Sequence, residues 1–233
     1  TSLHVLKAHE AYCVGPPPSS KSYMNTEKIL RIIKNIGVDA VHPGYGFLSE
    51  DADFAKMISK AGVAWIGPPS HAMATMGDKI AARRLAKKAG IPVVPGTTEP
   101  IKDLQTAKKK AENIGYPILI KAAGGGGGKG MRIIKSPSEL KNAMDRAKSE
   151  AKKAFADDRI YMEKYLEEPH HIEIQIFADN HGNVVSLGER ECSIQRRYQK
   201  IIEETPSPFI DIKLRDDLSH SAVQITRACK YSG

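Results

Sequence analysis

The sequence contains little cysteine, few aromatic residues and no long apolar run. Its three cysteines, Cys13, Cys192 and Cys229, are widely spaced and odd in number, which disfavours a disulfide framework or a zinc site. No apolar run approaches the roughly 20 residues that cross a bilayer, and the first residues do not form a signal-peptide pattern. We therefore expect no membrane association and a reducing compartment, namely the cytoplasm, or the mitochondrial matrix if the source is eukaryotic.

Aromatic residues make up 6% of the chain, so the stacking surface of a nucleic-acid-binding protein is not expected. The net charge is nevertheless +8, from 35 lysines and arginines against 27 acidic residues. We expect part of this charge to serve small anionic ligands and the rest to be helix surface, with no nucleic acid partner. A hydrophobic content of 41% is that of a globular protein, and 233 residues suffice for two or three lobes.

The first third of the sequence alternates helix and strand patterns. Helices are predicted over residues 26–35, 51–60 and 79–88, and short buried strands over residues 38–42 and 63–66. Gly37 is expected to end the first helix in a left-handed conformation, and Asp78 to cap the third. The strand–helix–strand order predicts a parallel sheet with crossover helices. Because proline and glycine interrupt residues 90–96, we assign residues 1–92 to an N-terminal α/β domain.

The rest of the sequence predicts a mixed lobe followed by an antiparallel hairpin. Helices are predicted over residues 103–114, 138–155 and 214–230, and strands over residues 118–120, 131–134, 160–166, 172–177 and 184–189. We assign residues 93–166 to a small α+β lobe and residues 167–233 to the beginning of a C-terminal lobe.

Five consecutive glycines, residues 124–128, lie between Lys121 and Lys129, directly after the apolar residues 117–120. Glycine reaches positive φ and lets the backbone approach a ligand closely, and inward-facing amides suit phosphate. Apolar residues on both sides predict a strand–loop–strand hairpin, which favours a flap over a nucleoside triphosphate rather than a flexible linker. The run is not a P-loop, since no Gly-Lys-Ser/Thr sequence opens a helix after it.

Two neighbouring features fit the same ligand. Lys121 ends a strand beside the glycine run, where an ammonium group can reach phosphate oxygens. The extended residues 163–166 can pair with an adenine edge through main-chain groups, although this segment alone favours an ordinary edge strand. The glycine run, which lies between them in the sequence, favours the interpretation of both features as ATP contacts.

Polar residues further along the chain leave two interpretations open. His171, Glu173 and Gln175 lie on the polar face of a predicted strand, either as ligand contacts or as solvent-facing residues. Residues 191–200 concentrate arginine and lysine side chains that suit phosphate or a small oxyanion. A salt-bridged surface loop is the alternative for this second segment.

Six motifs together resemble those of the biotin carboxylases, members of the ATP-grasp superfamily, over essentially the whole chain. They are HPGYGFLSE at 42–50, MGDK at 76–79, IKAAGGGGG at 120–128, MEKYL at 162–166, PHHIEIQ at 169–175 and ERECSIQRR at 189–197. The resemblance implies a parallel α/β lobe followed by an ATP-grasp fold, thus α/β and α+β in class, truncated at both ends.

The resemblance implies an enzyme, an ATP-dependent carbon–nitrogen ligase. Biotin carboxylases use ATP to activate bicarbonate as carboxyphosphate and then carboxylate N1 of biotin on a carrier protein, the first half-reaction of biotin-dependent carboxylases. The implied partners are a biotin carboxyl carrier domain or protein, a carboxyltransferase component and further copies of the chain. The final acceptor stays open among acetyl-CoA, propionyl-CoA, methylcrotonyl-CoA and pyruvate.

By position in the motifs, Lys79 and Lys121 would hold the ATP phosphates, and Lys200 would be the catalytic residue that binds bicarbonate or the transferring phosphoryl group. Lys164 and Leu166 would contact adenine through their main chains. The implied nucleotide-binding set is Lys79, Lys121, Gly126, Gly127, Gly128, Met131, Glu163, Lys164, Tyr165, Leu166, His171, Gln195 and Tyr198.

Some family features are not expected within this chain. The ligands of Mg²⁺ or Mn²⁺, the general base for bicarbonate and the arginine that stabilises the biotin enolate follow the last motif in the family, so no metal ligand is assigned here. The sequence begins at Thr1, so we expect a partial chain. Because the metal ligands and the general base are not expected in it, we expect this chain to be inactive alone. Tyr198 stands where many family members have histidine.

Two other functions compete with this interpretation. A different ATP-grasp ligase, for example one similar to carbamoyl phosphate synthetase, would keep the ATP chemistry and change the acceptor; residues 191–200 argue against it. A non-catalytic nucleotide-binding or interaction module is the alternative from another class.

Overall fold

The structure is a computed structural model that describes residues 2–124 and 130–233. It divides into two compact units, one formed by the residues up to Ala74 together with Gly233 and one formed by residues 75–232. The predicted domain boundaries at residues 92 and 166 stay predictions. Among the described residues, none of the helices combines the length and the apolar character needed to cross a bilayer.

The first unit contains a crossover between two short parallel strands. Its elements are α1 (Leu3–Lys7), α2 (Thr26–Ile36), β1 (Ala40–Val41), α3 (Ala52–Lys60), β2 (Ala64–Trp65) and α4 (Ser70–Gly77), the last of which crosses into the second unit. β1 pairs with β2 in parallel, as the strand–helix–strand order predicts. Both strands are shorter than predicted, and their residues are exposed or half-buried rather than buried.

Helix ends in this unit follow the expected capping chemistry. Gly37 ends α2 with φ 67°, in the left-handed region that favours glycine. The Asp51 carboxylate accepts the Phe54 N–H at 2.8 Å and so caps α3. Ile33, Leu48, Phe54 and Ile58 form the buried core between the helices.

The second unit begins with a three-stranded antiparallel sheet covered by helices. Its elements are α5 (Lys79–Lys88), α6 (Leu104–Ile114), β3 (Ile118–Ala122), β4 (Arg132–Ile134), α7 (Leu140–Phe155) and β5 (Ile160–Lys164). The strand order is β4-β3-β5, so β3, which leads into the glycine run, is the central strand of the sheet. Ile118, Ile120 and Met162 are fully buried beneath α6 and α7.

An antiparallel hairpin, a second small hairpin and a long helix complete this unit. They are β6 (Ile172–Ala178), β7 (Val184–Glu191), β8 (Gln195–Arg196), β9 (Gln199–Lys200) and α8 (Ile212–Ala228). β6 pairs with β7, with a bulge between Ile174 and Ile176, and α8 packs against β7. The hairpin β8–β9 was not predicted from the sequence, and neither was α4.

The three cysteines are free thiols that differ in their exposure to solvent. Cys13 is exposed, whereas Cys192 and Cys229 are buried. Burial raises the pKa of both buried thiols, because it disfavours the thiolate.

Two carboxylates at the end of β7 are buried with hydrogen-bond donors. Glu189 Oε1 accepts the Arg215 Nε–H at 2.7 Å from α8, and Glu191 Oε2 accepts the Ser207 hydroxyl at 2.9 Å. The Arg215 hydrogen bond lowers the pKa of Glu189, and hydrogen bonds from Ser193, then Ser207, lower that of Glu191. Their ionised forms therefore stabilise the folded second unit.

We expect the thermal unfolding temperature to fall as the pH drops below about 4.3, the ordinary pKa of glutamate. A carboxylate whose folded pKa is depressed stabilises the fold above its unfolded pKa and loses that contribution as the pH falls through the folded pKa. Unfolding measured between pH 6 and pH 3 checks this, and Arg215→Met should flatten the dependence. The same slope in both proteins would contradict it.

Candidate functional site

A cleft of about 520 Å³ lies within the second unit, between the sheet β4-β3-β5 and the β8–β9 hairpin. The sequence-predicted residues that line it are Lys121, Met131, Glu163, Lys164, Tyr165, Leu166, His171, Gln195 and Tyr198. The cleft also contains Val94, Leu119, Ile133, Pro169 and Ser193, so apolar walls surround a few charged and polar groups. Such a composition is typical of small-ligand sites.

The main chain at the end of β5 has limited free hydrogen-bonding capacity. The Lys164 N–H donates to Pro95 O at 2.7 Å, and the Tyr165 N–H donates to Pro117 O at 3.1 Å. The predicted main-chain contact of Lys164 to adenine must therefore use its carbonyl oxygen. The Lys164 ammonium also has partners, since it donates to Gly115 O at 3.0 Å and Tyr116 O at 2.9 Å.

Lys121 and Glu163 form an ion pair on the floor of the cleft. Glu163 is also paired with Arg83 of α5, whose Nη1 lies 3.1 Å from Oε2. The side chains of Arg83 and Glu163 are 12% and 9% exposed, and that of Lys121 is 25% exposed. Sequence reasoning missed Arg83, because its partner lies 80 positions away and nothing local distinguishes it from Arg84.

Lys79 is the first residue of α5 and lies beside the root of the glycine run. Its N–H donates to Ala123 O at 3.1 Å, and Asp78 caps the helix by accepting from Ile80 and Ala81. Burial lowers the pKa of Lys79, and the nearby charge of Lys121 lowers it further. Two ammonium groups thus repel each other here, which a bound polyanion would relieve. Lys79 does not belong to the residues that line the cleft.

A ring of hydrogen bonds surrounds Ala123. The Ala123 N–H donates to Arg159 O at 2.9 Å, and the Arg159 guanidinium binds the carboxylates of Asp78 at 2.9 Å and Asp157 at 2.7 Å. The ring joins the start of α5 to the end of β3. Gly126, Gly127 and Gly128, the predicted flap residues, lie outside the described part of the chain.

His171 and Gln195 contact each other at one side of the cleft. Gln195 Nε2 lies 2.7 Å from His171 Nδ1 and 2.8 Å from Cys192 O. Because an amide nitrogen only donates, Nδ1 accepts and the proton of neutral His171 is on Nε2. That nitrogen lies 3.4 Å from Glu173 Oε1. These two residues of the predicted nucleotide-binding set are therefore brought together, and His171 is linked to Glu173.

Lys200 lies behind this pair, outside the cleft lining. It is hydrogen-bonded to Glu173 and lies 3.8 Å from Glu203, while Arg190 binds Glu173 at 3.0 Å. The Glu173 hydrogen bond raises the pKa of Lys200. Although burial works to raise the pKa of Glu173, Lys200 and Arg190 hold it below its usual value. The catalytic role of Lys200 stays a prediction.

Among the described residues, Glu173, Cys192 and Glu203 place ligand atoms within 4.8 Å of one another. Lys200 and Arg190 each reach both of the carboxylates in this group. A metal ion would have to displace these cations, so the group fits a metal poorly, and no metal ligand is assigned to it.

Two family models match consecutive parts of the chain. Residues 1–73 match the biotin carboxylase N-terminal domain. Residues 78–233 match the ATP-binding domain of the carbamoyl-phosphate synthase L chain. The junction between the two matches falls close to the boundary of the two compact units.

Two curated relatives are similar to this chain over nearly its whole length. The chain is 49% identical to biotin carboxylase of Haemophilus influenzae over 231 residues, 99% of the chain and 52% of that protein. It is 50% identical to the human mitochondrial propionyl-CoA carboxylase alpha chain over 232 residues, 100% of the chain and 32% of that protein.

A solved structure of the biotin carboxylase domain of Hydrogenobacter thermophilus 2-oxoglutarate carboxylase, with MgADP, ADP and bicarbonate, superposes with a TM-score of 0.94 at 42% identity. The match covers 99% of the chain and 51% of that structure. The chain thus spans about half the length of that structure and of the Haemophilus relative, and a third of the human one.

Proposed function

Because the chain belongs to the biotin carboxylase family, we propose that it binds ATP in the cleft and supplies the nucleotide site for carboxylation of biotin by bicarbonate. In this reaction a bicarbonate oxygen attacks the γ-phosphorus and ADP leaves. The carboxyl group of carboxyphosphate then passes to biotin N1, which loses its proton as phosphate is released. Positioning and positive charge are what such a transfer needs most from a protein.

The observation that carries the proposal is the convergence of predicted nucleotide contacts on one cleft. Lys121 is on β3, and residues 163–166 come from the end of the neighbouring β5 and the residues after it. His171 directly precedes β6, and Gln195 and Tyr198 belong to the β8–β9 hairpin. The cleft thus brings together residues from four separate motifs, which is what a shared ligand would require.

Each end of the cleft suits a different part of ATP. At the β5 end, the Lys164 carbonyl and the Leu166 main chain would bind the adenine edge between apolar walls that include Leu119 and Ile133. At the other end, Lys121 and Lys79 would bind the phosphates, and the repulsion between the two ammonium groups favours a polyanion. Lys200 would bind bicarbonate or the γ-phosphoryl group from its position behind His171.

The metal that this chemistry requires has no fitting ligand set among the described residues, and no step is assigned to it here. We further propose a biotin carboxyl carrier and a carboxyltransferase as partners of the complete protein, with assembly into homo-oligomers. A reducing compartment, the cytoplasm or the mitochondrial matrix, suits the three unpaired thiols.

The test is ADP formation by the full-length protein in the presence and absence of bicarbonate and free biotin. We expect bicarbonate-dependent ATP cleavage that biotin stimulates. ATP cleavage that biotin leaves unchanged, with stimulation by an amine or amino acid instead, would indicate a different ATP-grasp ligase. Absence of ATP binding by the 233-residue chain would contradict the assignment of the cleft.

A further inference from the structure

We propose that Arg83 is a positioning residue, which neutralises Glu163 when Lys121 leaves that carboxylate for the phosphates of a bound nucleotide. This inference rests on the proposed function, which makes the cleft an ATP site. It assigns Lys121 two alternating partners and gives Glu163 a second, permanent counterion.

Glu163 cannot be left without a counterion at low cost. Its side chain is 9% exposed and receives a cation on each oxygen, Lys121 on Oε1 and Arg83 on Oε2. An ionised carboxylate that loses its partner in a buried place keeps its desolvation penalty without compensation. If Lys121 were its sole cation, moving the ammonium group to phosphate would be opposed by this penalty.

Arg83 is held in place by several partners besides Glu163. The Arg83 guanidinium donates to Val94 O at 2.5 Å and Thr97 O at 3.3 Å as well as to Glu163. Its central carbon lies 5.7 Å from the centre of the Tyr161 ring, within the range of a cation–π contact. These contacts use the fork geometry of arginine, which lysine cannot reproduce.

Lys121 is the exchangeable partner of the two. Its side chain is a quarter exposed and lines the cleft, where it forms an ion pair with Glu163. A flexible lysine stem can swing from the carboxylate to a phosphate oxygen, while Arg83 retains Glu163. The cleft is thereby charge-balanced both with and without nucleotide.

The test compares the affinities of ATP and adenosine, which share the base and ribose and differ in the phosphates. Arg83→Met should lower ATP affinity about tenfold, equivalent to about 1.4 kcal/mol, and leave adenosine affinity within about twofold. Without Arg83, Lys121 must stay with Glu163 and is not available to phosphate. The double variant Arg83→Met/Glu163→Gln should bring the ratio of ATP to adenosine affinity back to the wild-type value or above it, since no buried carboxylate then holds Lys121.

Arg84→Met is the matched control, because Arg84 is the next residue of α5 and pairs with Glu99 at the surface. It should change neither affinity. If Arg83→Met does not fold, Glu163→Gln alone keeps the test open, since releasing Lys121 should raise the ratio of ATP to adenosine affinity.

Different outcomes would contradict the role of Arg83 and the assignment of the cleft as an ATP site. Equal loss of ATP and adenosine affinity in Arg83→Met, or no change in the ratio in Glu163→Gln, would overturn the role of Arg83 while leaving the ATP site intact. Failure of the wild-type chain to bind ATP would overturn the proposed function, and this inference with it.

Discussion

Lys121→Met lowers the affinity of the chain for ATP by about 10- to 100-fold, the equivalent of one charge-assisted hydrogen bond of about 1.5–3 kcal/mol. Lys121 lines the cleft, and the charge of its ammonium group contributes to the lowered pKa of the neighbouring Lys79. Methionine keeps the apolar stem and removes the charge. Calorimetric titration of ATP and of adenosine measures the effect. The affinity for adenosine should stay at the wild-type value, because adenosine has no phosphates.

The matched control is Lys152→Met, an exposed lysine in the last turn of α7. It removes the same charge from the protein without touching the cleft, so ATP affinity should stay at the wild-type value. If Lys152→Met weakened ATP binding as much as Lys121→Met, net charge rather than the site would be responsible. Unchanged ATP affinity in Lys121→Met would contradict the assignment of the cleft.

Gly96→Ala destabilises the second unit by about 1–3 kcal/mol, the usual cost of overpacking. It weakens the binding of ATP and of adenosine to the same extent. A Cβ at Gly96 would lie 2.6 Å from Met162 O and 2.8 Å from both Glu163 Cβ and Arg83 Nη2. To make room for the methyl group, β5 must shift at Met162 and Glu163, because Gly96 forms a β-bridge with Glu163. Denaturant unfolding together with both titrations measures these effects.

Gly77→Ala provides the comparison for this substitution. Gly77 ends α4, and a Cβ there would meet nothing within 4 Å. Neither glycine has a positive φ, so the backbone accepts alanine at both positions, whereas the space around the added methyl group is very different. We expect Gly77→Ala to be neutral or slightly stabilising; equal destabilisation by both variants would show that loss of glycine itself is responsible.

The ATP-grasp fold class expected from the motifs is confirmed, and the reason lies in local signals. Asp51, Asp78 and Asp103 each precede an apolar helical pattern, and each side chain caps the helix that follows. The strands of the antiparallel hairpin 172–191 alternate in polarity and pair as expected. Where capping and periodicity act within a few residues, the sequence suffices.

Elements without such signals were missed or misjudged. β8 and β9 contain two residues each, too few for a period, and their turn places Arg197 and Tyr198 at positive φ. The strand expected at residues 38–42 is limited to Ala40–Val41, of which Ala40 is exposed and Val41 half-buried.

The site shows the same division. Its motif residues could be named from the sequence, and several of them converge on the cleft, although their roles stay predictions. Arg83 could not be named, since its contacts to Val94, Thr97 and Glu163 exist only after folding brings α5 against β5. Lys200 was placed near the reacting groups, but its ion pairs with Glu173 and Glu203 could not be anticipated.

The unequal burial of the three thiols has a practical consequence. Toward maleimides or iodoacetamide the native chain behaves as a single-thiol protein, because Cys13 is exposed while Cys192 and Cys229 are buried with raised pKa values. A fluorophore can therefore be attached to the first unit without engineering, leaving the cleft of the second unit unlabelled. Cys13 is also the position at which oxidants would first modify the folded chain.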